Sequence, residues 1–263
     1  MAGKRGLIMG VANDHSIAWG IAQTLRRHGA ELAFTFQGEA FAKRVRPLAE
    51  SLGSDIVLPC DVDSAQDLET LLSTLESRWH GLDFVVHAIA YSDKDELKGR
   101  YLDTTRQNFA RTLLVSCYSF TELARRAAPL MKGNGSLLTL SYLGAERVTP
   151  NYNVMGVAKA ALEASVRYLA ADLGPAGIRV NAISAGPMRT LAGSAISDAR
   201  FVYGWSRAHA PLTRSVSLED IGAGALYLLS DLSAAVTGEI HHIDCGYNIV
   251  GIPSPGKLNG PEE

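Results

Sequence analysis

Short apolar runs alternate with longer amphipathic segments along almost the whole chain, and this alternation restricts the possible folds more than any other feature. Most of the short runs are continuously apolar, which is typical of parallel strands covered by helices on both faces. Repeated strand–helix–strand units imply right-handed crossovers and a doubly wound sheet. The runs that predict strands are residues 6–10, 31–36, 55–60, 83–89, 136–142, 178–184 and 239–244.

The longer segments predict helices, and together with the strands they define the fold class. We expect an α/β protein, with a Rossmann-like doubly wound parallel sheet of about seven strands and helices on both faces. The sequence shows no repeat and no linker, so we expect a single domain over residues 1–263, and the Gly- and Pro-rich stretch 251–263 predicts a flexible tail. The predicted helices lie near residues 16–28, 39–51, 64–79, 105–131, 152–173 and 217–230.

Composition and charge exclude several classes of protein. Hydrophobic residues make up 47% of the chain and charged residues 20%, as in ordinary soluble proteins. A net charge of −2 gives no electrostatic support for a nucleic-acid partner. Cys60, Cys117 and Cys245 are widely spaced without a CxxC pair, which favours a reducing compartment. Because no apolar run approaches membrane-spanning length and no signal peptide is evident, we expect a cytoplasmic protein without a membrane partner.

Two connections are too long to be simple turns, and both follow the carboxyl end of a predicted strand. They are residues 90–104 and residues 185–216. Open α/β sheets bind ligands at that edge, so we expect both to be functional. The second predicts a lid over the substrate, although ordinary packing would also explain its apolar side chains. The apolar and aromatic lid candidates are Ile196, Phe201, Val202, Tyr203 and Trp205.

The first strand–helix turn, MGVANDHSIAWGIA, predicts a dinucleotide site. A glycine at this turn lets the backbone approach a pyrophosphate, whose charge the helix N–H groups stabilise. Gly10 ends the strand, and Ser16 is placed to cap the helix. The turn lacks a strict GxGxxG, so an ordinary turn is the alternative, but its location favours the cofactor. The candidate contacts are Gly10, Ser16 and Ile17.

The next two strands predict contacts with the adenosine half of the cofactor. Gln37 ends the second strand, where dinucleotide folds recognise the ribose. A neutral Gln bonds a ribose hydroxyl, and no Arg follows immediately to neutralise a 2′-phosphate, so NADH is favoured over NADPH. Asp61 and Val62 close the third strand and are placed to flank adenine, although Asp61 alone would also suit a helix cap.

The stretch PNYNVMGVAKAALEA places Tyr152 and Lys159 seven residues apart. On a helix, seven steps of about 100° bring both side chains to one face, roughly 10 Å apart along the axis. A bare pair of this kind usually means a half-buried aromatic ring and an amine that reaches solvent. The surrounding sequence and the nucleotide turn favour a catalytic pair instead.

Two blocks that contain this pair resemble a known family. LSYLGAERVTPNYNVMGVAKAALEASVRYLA and RVNAISAGPMRTLA are similar to signature blocks of the bacterial NADH-dependent enoyl-acyl-carrier-protein reductases (FabI type), a divergent branch of the short-chain dehydrogenase/reductases. The resemblance extends from Gly6 to about Tyr247. Most short-chain reductases carry Tyr-x3-Lys, whereas here Met155 occupies that tyrosine position and the spacing is Tyr-x6-Lys.

The resemblance implies three catalytic residues, Tyr142, Tyr152 and Lys159. Tyr152 would hydrogen-bond the enolate oxygen of the thioester, which lies two bonds beyond the carbon that accepts hydride. A donor displaced by one helical turn, compared with the carbonyl reductases, fits that shift. Lys159 would hold the nicotinamide ribose and favour the ionised tyrosine. Tyr142 would form a second side of the acyl pocket.

The resemblance also implies further contacts with cofactor and substrate. Ile89 follows the fourth strand, where the family places an apolar residue beside the cofactor. Amide groups of the GPMRTLA loop would select one face of the nicotinamide. The implied contacts in that loop are Met188, Thr190 and Ala192, and the implied substrate-binding residues are Ser92, Tyr142 and Tyr152.

The sequence therefore predicts an enzyme that reduces the 2,3 double bond of trans-2-enoyl-acyl-carrier-protein thioesters with NADH, in the elongation cycle of fatty-acid biosynthesis. Two alternatives stay open: a short-chain carbonyl (3-ketoacyl-type) reductase and a non-catalytic NADH-binding module. The family implies acyl carrier protein as partner and a homotetramer. We expect no metal, because the consecutive His241 and His242 would face opposite sides of a strand.

Overall fold

Seven parallel strands form one sheet, which confirms the predicted fold class. The strand order is β3-β2-β1-β4-β5-β6-β7. The structure is a computed structural model that describes residues 1–194 and 198–252. Each strand begins and ends within two residues of its predicted bounds. The strands are β1 Arg5–Met9, β2 Glu31–Phe36, β3 Ile56–Pro59, β4 Phe84–His87, β5 Ser136–Ser141, β6 Arg179–Ala185 and β7 Ile240–Ile243.

Helices cover both faces of the sheet. Side chains of β1 point alternately to the two faces. Leu7 and Met9 pack into the core on one face of the sheet, and Ile8 packs into the core on the other. All three are fully buried. The helices are α1 Ile17–Arg27, α2 Glu39–Ser51, α3 Ala65–Trp79, α4 Arg106–Leu113, α5 Ser119–Ala127, α6 Asn153–Leu173, α7 Leu191–Ser194, α8 Ala199–His209 and α9 Leu218–Leu229.

The predicted continuous helix over 105–131 is wrong in detail. A π-helical turn, Leu114–Tyr118, separates α4 from α5, and a 3₁₀ turn, Ala128–Met131, ends the segment. Ser116 in the wide turn bonds both the amide and the carbonyl of Tyr91. This contact ties the turn to the connection after β4. Such π-turns are often found at functional sites.

The connection 185–216 also differs from a simple lid loop, because it contains α7 and α8. The sequence predicts a lid here from apolar and aromatic residues but does not predict a helix, whereas the structure forms α8. Of the predicted lid residues, Ile196 lies outside the described part of the chain. Phe201, Val202, Tyr203 and Trp205 all lie on α8. The predicted tail 251–263 is described only to residue 252.

Strand β1 lies between β2 and β4, so the chain reverses its direction of winding there. Gly10, directly after β1, has φ 98°, a value that favours glycine. A Cβ at Gly10 would overlap the Ala88 carbonyl oxygen, which follows β4. The absence of a side chain thus keeps the two strand ends close. Ligands of doubly wound sheets bind in the crevice at such a reversal.

Candidate active site

Two tyrosines meet at the carboxyl end of β5. Tyr142 directly follows the strand, and Tyr152 directly precedes α6. Their ring centroids are 5.0 Å apart in an edge-to-face arrangement, a favourable aromatic geometry. Tyr152 is only 7% exposed. The structure brings these two predicted catalytic residues together, and their chemical roles stay predictions.

Two glycines that sequence reasoning missed make room for Tyr152. A Cβ at Gly144, in the 3₁₀ turn after Tyr142, would overlap the Tyr152 ring, with Cε1 at 2.7 Å. A Cβ at Gly156, on α6, would lie 2.7 Å from the Gly144 carbonyl oxygen. The turn and the helix therefore approach closely only because neither residue has a side chain. Each glycine stands in the quoted signature block, but only the packing shows why.

An apolar cluster encloses Tyr152. It includes Leu97, from the connection 90–104, and Met155, at the position where most short-chain reductases have tyrosine. This packing places the connection after β4 against Tyr152. It also removes Tyr152 from water. The remaining members are Val154 and Ala158, with Phe109, Leu113 and Tyr142 packed against them.

Lys159 lies two turns into α6 and is 6% exposed. Its Nζ donates a 2.8 Å hydrogen bond to the Leu140 carbonyl oxygen, near the end of β5. Burial lowers the pKa of Lys159 to about 8, while Cys117 and Glu163 act in the opposite direction. The alternative interpretation, an amine that reaches solvent, is therefore excluded, because this ammonium group is held inside the protein.

The predicted effect of Lys159 on Tyr152 stays a prediction, but the pKa of Tyr152 lies above its usual value rather than below it. Burial is the main influence on Tyr152 and raises its pKa, and Tyr142 and Glu163 raise it further. Burial likewise raises the pKa of Tyr142 to about 12, although a hydrogen bond with Thr149 acts to lower it. Desolvation disfavours the charged form of a phenol. Both tyrosines are therefore neutral at physiological pH and able to donate a hydrogen bond.

The adenosine end of the crevice contains a preformed polar pair. Gln37 Nε2, after β2, donates a 2.8 Å hydrogen bond to Asp61 Oδ2, after β3. This bond orients the Gln37 amide. Val62, next in the chain, packs against the core, as does Ile89 after β4. The structure thus brings these four predicted cofactor residues to one edge of the sheet.

The prediction that Ser16 caps α1 is correct in position only. Ser16 occupies the N-cap, but its hydroxyl accepts hydrogen bonds from the amides of Ala12 and Asn13, at 3.0 and 3.1 Å. These bonds shape the turn that follows Gly10. Ile17, the first residue of α1, packs against the core and so fixes the start of the helix.

The loop after β6 is ordered by its own hydrogen bonds. The Thr190 amide donates to the Met188 carbonyl oxygen at 2.9 Å, and the Thr190 hydroxyl accepts from the Gly193 amide at 2.9 Å. Met188 packs against the core that includes α1 and α9. Ala192 lies in α7. Their predicted contacts with nicotinamide and phosphates stay predictions.

Ser92 is bound to α4. Its hydroxyl donates to Asn108 at 3.4 Å and accepts from Thr112 at 2.9 Å. The Asn108 side-chain oxygen also accepts from the Asp93 amide at 3.0 Å. Because the hydroxyl already has protein partners, its predicted role in substrate binding stays a prediction.

Tyr203 on α8 has a buried hydroxyl near the loop that follows β6. Within residues 1–194 and 198–252, this hydroxyl has no hydrogen-bond partner. A Cβ at Gly193 would lie 2.5 Å from the hydroxyl oxygen and 2.7 Å from the Met188 carbonyl oxygen, so the phenol is close to the loop after β6. A buried hydroxyl without a partner is costly, and a ligand that bonds it would recover that cost.

The histidines of β7 have separate partners: His242 Nε2 lies 2.8 Å from Glu146 Oε1, and His241 Nδ1 lies 4.0 Å from Glu239. Within the described ranges, no three His, Cys, Asp or Glu side chains are grouped as a metal site would require. Over the same ranges, none of the helices combines the length and apolarity needed to cross a membrane.

The chain is similar to known proteins over nearly its whole length. The family model described as "Enoyl-(Acyl carrier protein) reductase" matches residues 10–248. A Rhizobium meliloti protein named enoyl-[acyl-carrier-protein] reductase [NADH] 2 is 65% identical over 254 residues, which cover 97% of this chain and 95% of that protein. A Rickettsia typhi protein named enoyl-[acyl-carrier-protein] reductase [NADH] FabI is 55% identical, covering 95% and 96%.

Solved structures give the same result. FabI from Candidatus Liberibacter asiaticus matches with a TM-score of 0.94 at 60% identity, covering 96% of this chain and 98% of that one. The reductase from Anaplasma phagocytophilum, solved in complex with NAD, matches with a TM-score of 0.94 at 58% identity, covering 97% of each chain. On its sequence and its fold, this chain belongs to the enoyl-acyl-carrier-protein reductase family.

Proposed function

We propose that this protein reduces the 2,3 double bond of trans-2-enoyl-acyl-carrier-protein thioesters, with NADH as the hydride donor. One observation carries the proposal: two neutral phenols, Tyr142 and Tyr152, lie in edge-to-face contact near the buried Lys159, at the ligand-binding edge of the sheet. NADH supplies the hydride when bound. The protein's own residues bind, orient and stabilise charge.

Tyr152 donates a hydrogen bond to the thioester oxygen. Negative charge grows on that oxygen when hydride reaches C3, so a donor there stabilises the transition state more than the ground state. The raised pKa keeps the proton on the phenol over the working pH range. Tyr142 packs across the ring of Tyr152 and limits the orientation of the bound acyl group.

Lys159 binds the nicotinamide ribose hydroxyls. Its ammonium group offers three donors, one of which is bonded to the Leu140 carbonyl oxygen. The remaining donors are held in a fixed position, because α6 and β5 anchor the side chain at both ends. A buried, oriented ammonium group loses little freedom when it binds a hydroxyl pair.

The adenosine half of the crevice fits NADH. The Gln37–Asp61 hydrogen bond leaves the Gln37 carbonyl oxygen to accept from a ribose 2′-hydroxyl. The Asp61 carboxylate beside it would repel a 2′-phosphate. Gly10 permits close approach of the pyrophosphate, and Ser16 and Ile17 set the position of α1. Met188, Thr190 and Ala192 line the nicotinamide half.

Acyl carrier protein is the proposed partner, and a homotetramer in the cytoplasm is the proposed state. Exposed apolar side chains support the assembly: Tyr118 on the π-turn is 51% exposed, and Tyr168 on α6 is 76% exposed. Leu114 and Val157 add to these surfaces, at 40% and 36% exposure. Apolar area of this kind is typical of a surface covered by another subunit.

A steady-state assay tests the function. NADH oxidation is measured with a trans-2-enoyl thioester and, separately, with a 3-ketoacyl thioester of equal length. We expect turnover of the enoyl substrate and at least about a hundredfold lower kcat/KM for the ketoacyl substrate. The reverse preference would establish a carbonyl reductase, and NADH binding without turnover of either thioester would establish a non-catalytic binding module.

A further inference from the structure

We propose that Glu163 is a positioning residue for this reaction, which ties the end of β5 to α6 and serves as the negative countercharge of Lys159. The inference rests on the proposed function. Glu163 stands four residues after Lys159 on α6, so the two side chains share one face of the helix. Glu163 is 7% exposed and Lys159 is 6% exposed.

A hydrogen bond joins Glu163 to the strand that carries Tyr142. The Ser141 hydroxyl, at the last position of β5, donates to Glu163 Oε1. The adjacent residue, Leu140, accepts from Lys159 Nζ at 2.8 Å. Two buried bonds from one face of α6 therefore hold two consecutive residues of β5. Tyr142 follows immediately, so its backbone position depends on this attachment.

The hydrogen bond does not by itself require a charge at Glu163. A glutamine oxygen would accept from Ser141 equally well, without the cost of burying a carboxylate. A buried carboxylate is stable only when other charges compensate it. The groups that favour the Glu163 charge are Ser141, His242 and Arg167. Glu163 in turn raises the pKa of Lys159, against the effect of burial, and so favours the ammonium form one helical turn earlier on the same face of α6.

Other titratable groups face the pair. Cys117 on the π-turn also raises the pKa of Lys159, and its effect is larger than that of Glu163. His87 on β4 is neutral, because burial and Lys159 lower its pKa to about 3. Burial raises the pKa of Glu163, and Glu146 raises it further. Ser141, His242 and Arg167 act in the opposite direction.

The expected pH dependence follows from these signs. Burial depresses the pKa of Lys159 to about 8, so the ammonium group is lost as the pH rises through that value. Removal of the Glu163 charge lowers the pKa further. The loss of cofactor binding and turnover then begins at a lower pH.

Glu163→Gln is the test of the charge. The variant keeps the size and the acceptor for Ser141 but removes the carboxylate. We expect the alkaline limb of kcat/KM, and of NADH affinity measured by fluorescence, to move down by about one pH unit. Glu163→Asp, which restores the charge, should bring the limb back towards the wild-type pH. Superimposable profiles for wild type and Glu163→Gln would overturn the proposal.

Ser141→Ala is the test of the attachment and remains informative if Glu163→Gln does not fold. We expect kcat/KM for the enoyl thioester to fall by about fivefold with the alkaline limb unmoved. Ser136→Ala is the matched control, because it removes a buried serine bond to Leu228 from the other end of β5. Equal kcat/KM in Ser141→Ala and wild type would overturn the positioning role. An inactive wild-type enzyme would instead refute the proposed function.

Discussion

At the scale of single residues, protonation decides which hydrogen bonds Tyr152 and Lys159 can donate. Tyr152 is a neutral donor, and Lys159 is a cation whose pKa is about 8. The identities of these residues were predictable from the sequence, because Tyr-x6-Lys and its neighbours are distinctive. Their ionisation was not predictable, because burial, which dominates both shifts, depends on packing from distant parts of the chain.

Tyr152→Phe should mainly lower kcat. Loss of one donor to a developing oxyanion typically costs about 10²–10³ in rate. The NADH dissociation constant should stay within about twofold, because the proposed partner of Tyr152 is the thioester rather than the dinucleotide. Initial-rate kinetics and fluorescence titration measure both quantities. A kcat equal to the wild type would contradict the assigned role.

The lowered pKa of Lys159 predicts an upper pH limit for cofactor binding. NADH affinity should decline as the pH rises through about 8, because the lysine then loses the proton that it needs as a donor. In Lys159→Arg, whose guanidinium group stays protonated, the decline should vanish even if absolute affinity is lower. Affinity that is independent of pH from 7 to 9 in the wild type would show that Lys159 does not hold the cofactor.

Gly144→Ala should displace the Tyr152 ring and thereby lower both activity and stability. The new methyl group overlaps the Tyr152 ring, so we expect kcat/KM to fall by about tenfold or more and stability to fall by about 1–3 kcal/mol. Gly174→Ala is the control, because a Cβ there meets no atom within 4 Å. Calorimetry and initial rates distinguish the two variants. Indistinguishable results would mean that the site tolerates the displacement of Tyr152.

Among the elements, strands were predicted more accurately than connections. Short runs, most of them continuously apolar, predicted all seven strands. The π-turn at 114–118 was not predictable, because local sequence favours an unbroken helix and the wide turn depends on bonds between Ser116 and Tyr91. Helix α8 was missed because its apolar residues were interpreted as lid surface.

Helix α8 leads to a prediction about Tyr203. Its buried hydroxyl lacks a partner among the described residues and lies close to the loop after β6. If a ligand completes this hydrogen bond, Tyr203→Phe should raise KM for NADH or for the thioester by about three- to tenfold with kcat nearly unchanged. Tyr227→Phe is the control, on the distant helix α9. Unchanged KM values for both substrates would show that no ligand uses the hydroxyl.

At the scale of the whole molecule, the sheet order places the predicted residues along one edge. Gln37 and Asp61 lie at one side of the β1–β4 reversal, and Tyr142 lies at the other. Sequence order alone predicted the edge, because parallel strands present their carboxyl ends together. It did not predict contacts such as Ser141 with Glu163, which join an element end to the middle of a later helix.

The assembly is tested by solution mass. We expect light scattering to give about four times the 28.1 kDa of one chain. Tyr168→Arg should reduce that mass, because it places a charge on an apolar surface. Leu232→Arg, at a site of similar exposure in a different part of the molecule, should not. A monomeric wild type would contradict the proposed tetramer.

The site is proposed to perform conjugate reduction, with charge received at the thioester oxygen while hydride enters two bonds away. The most direct measurement uses NADH deuterated at C4 of the nicotinamide, an unlabelled trans-2-enoyl thioester and mass spectrometry of the product. The account predicts one deuterium at C3 of a saturated acyl chain. Deuterium on a hydroxyl-bearing carbon, or an acyl chain recovered without label, would contradict it.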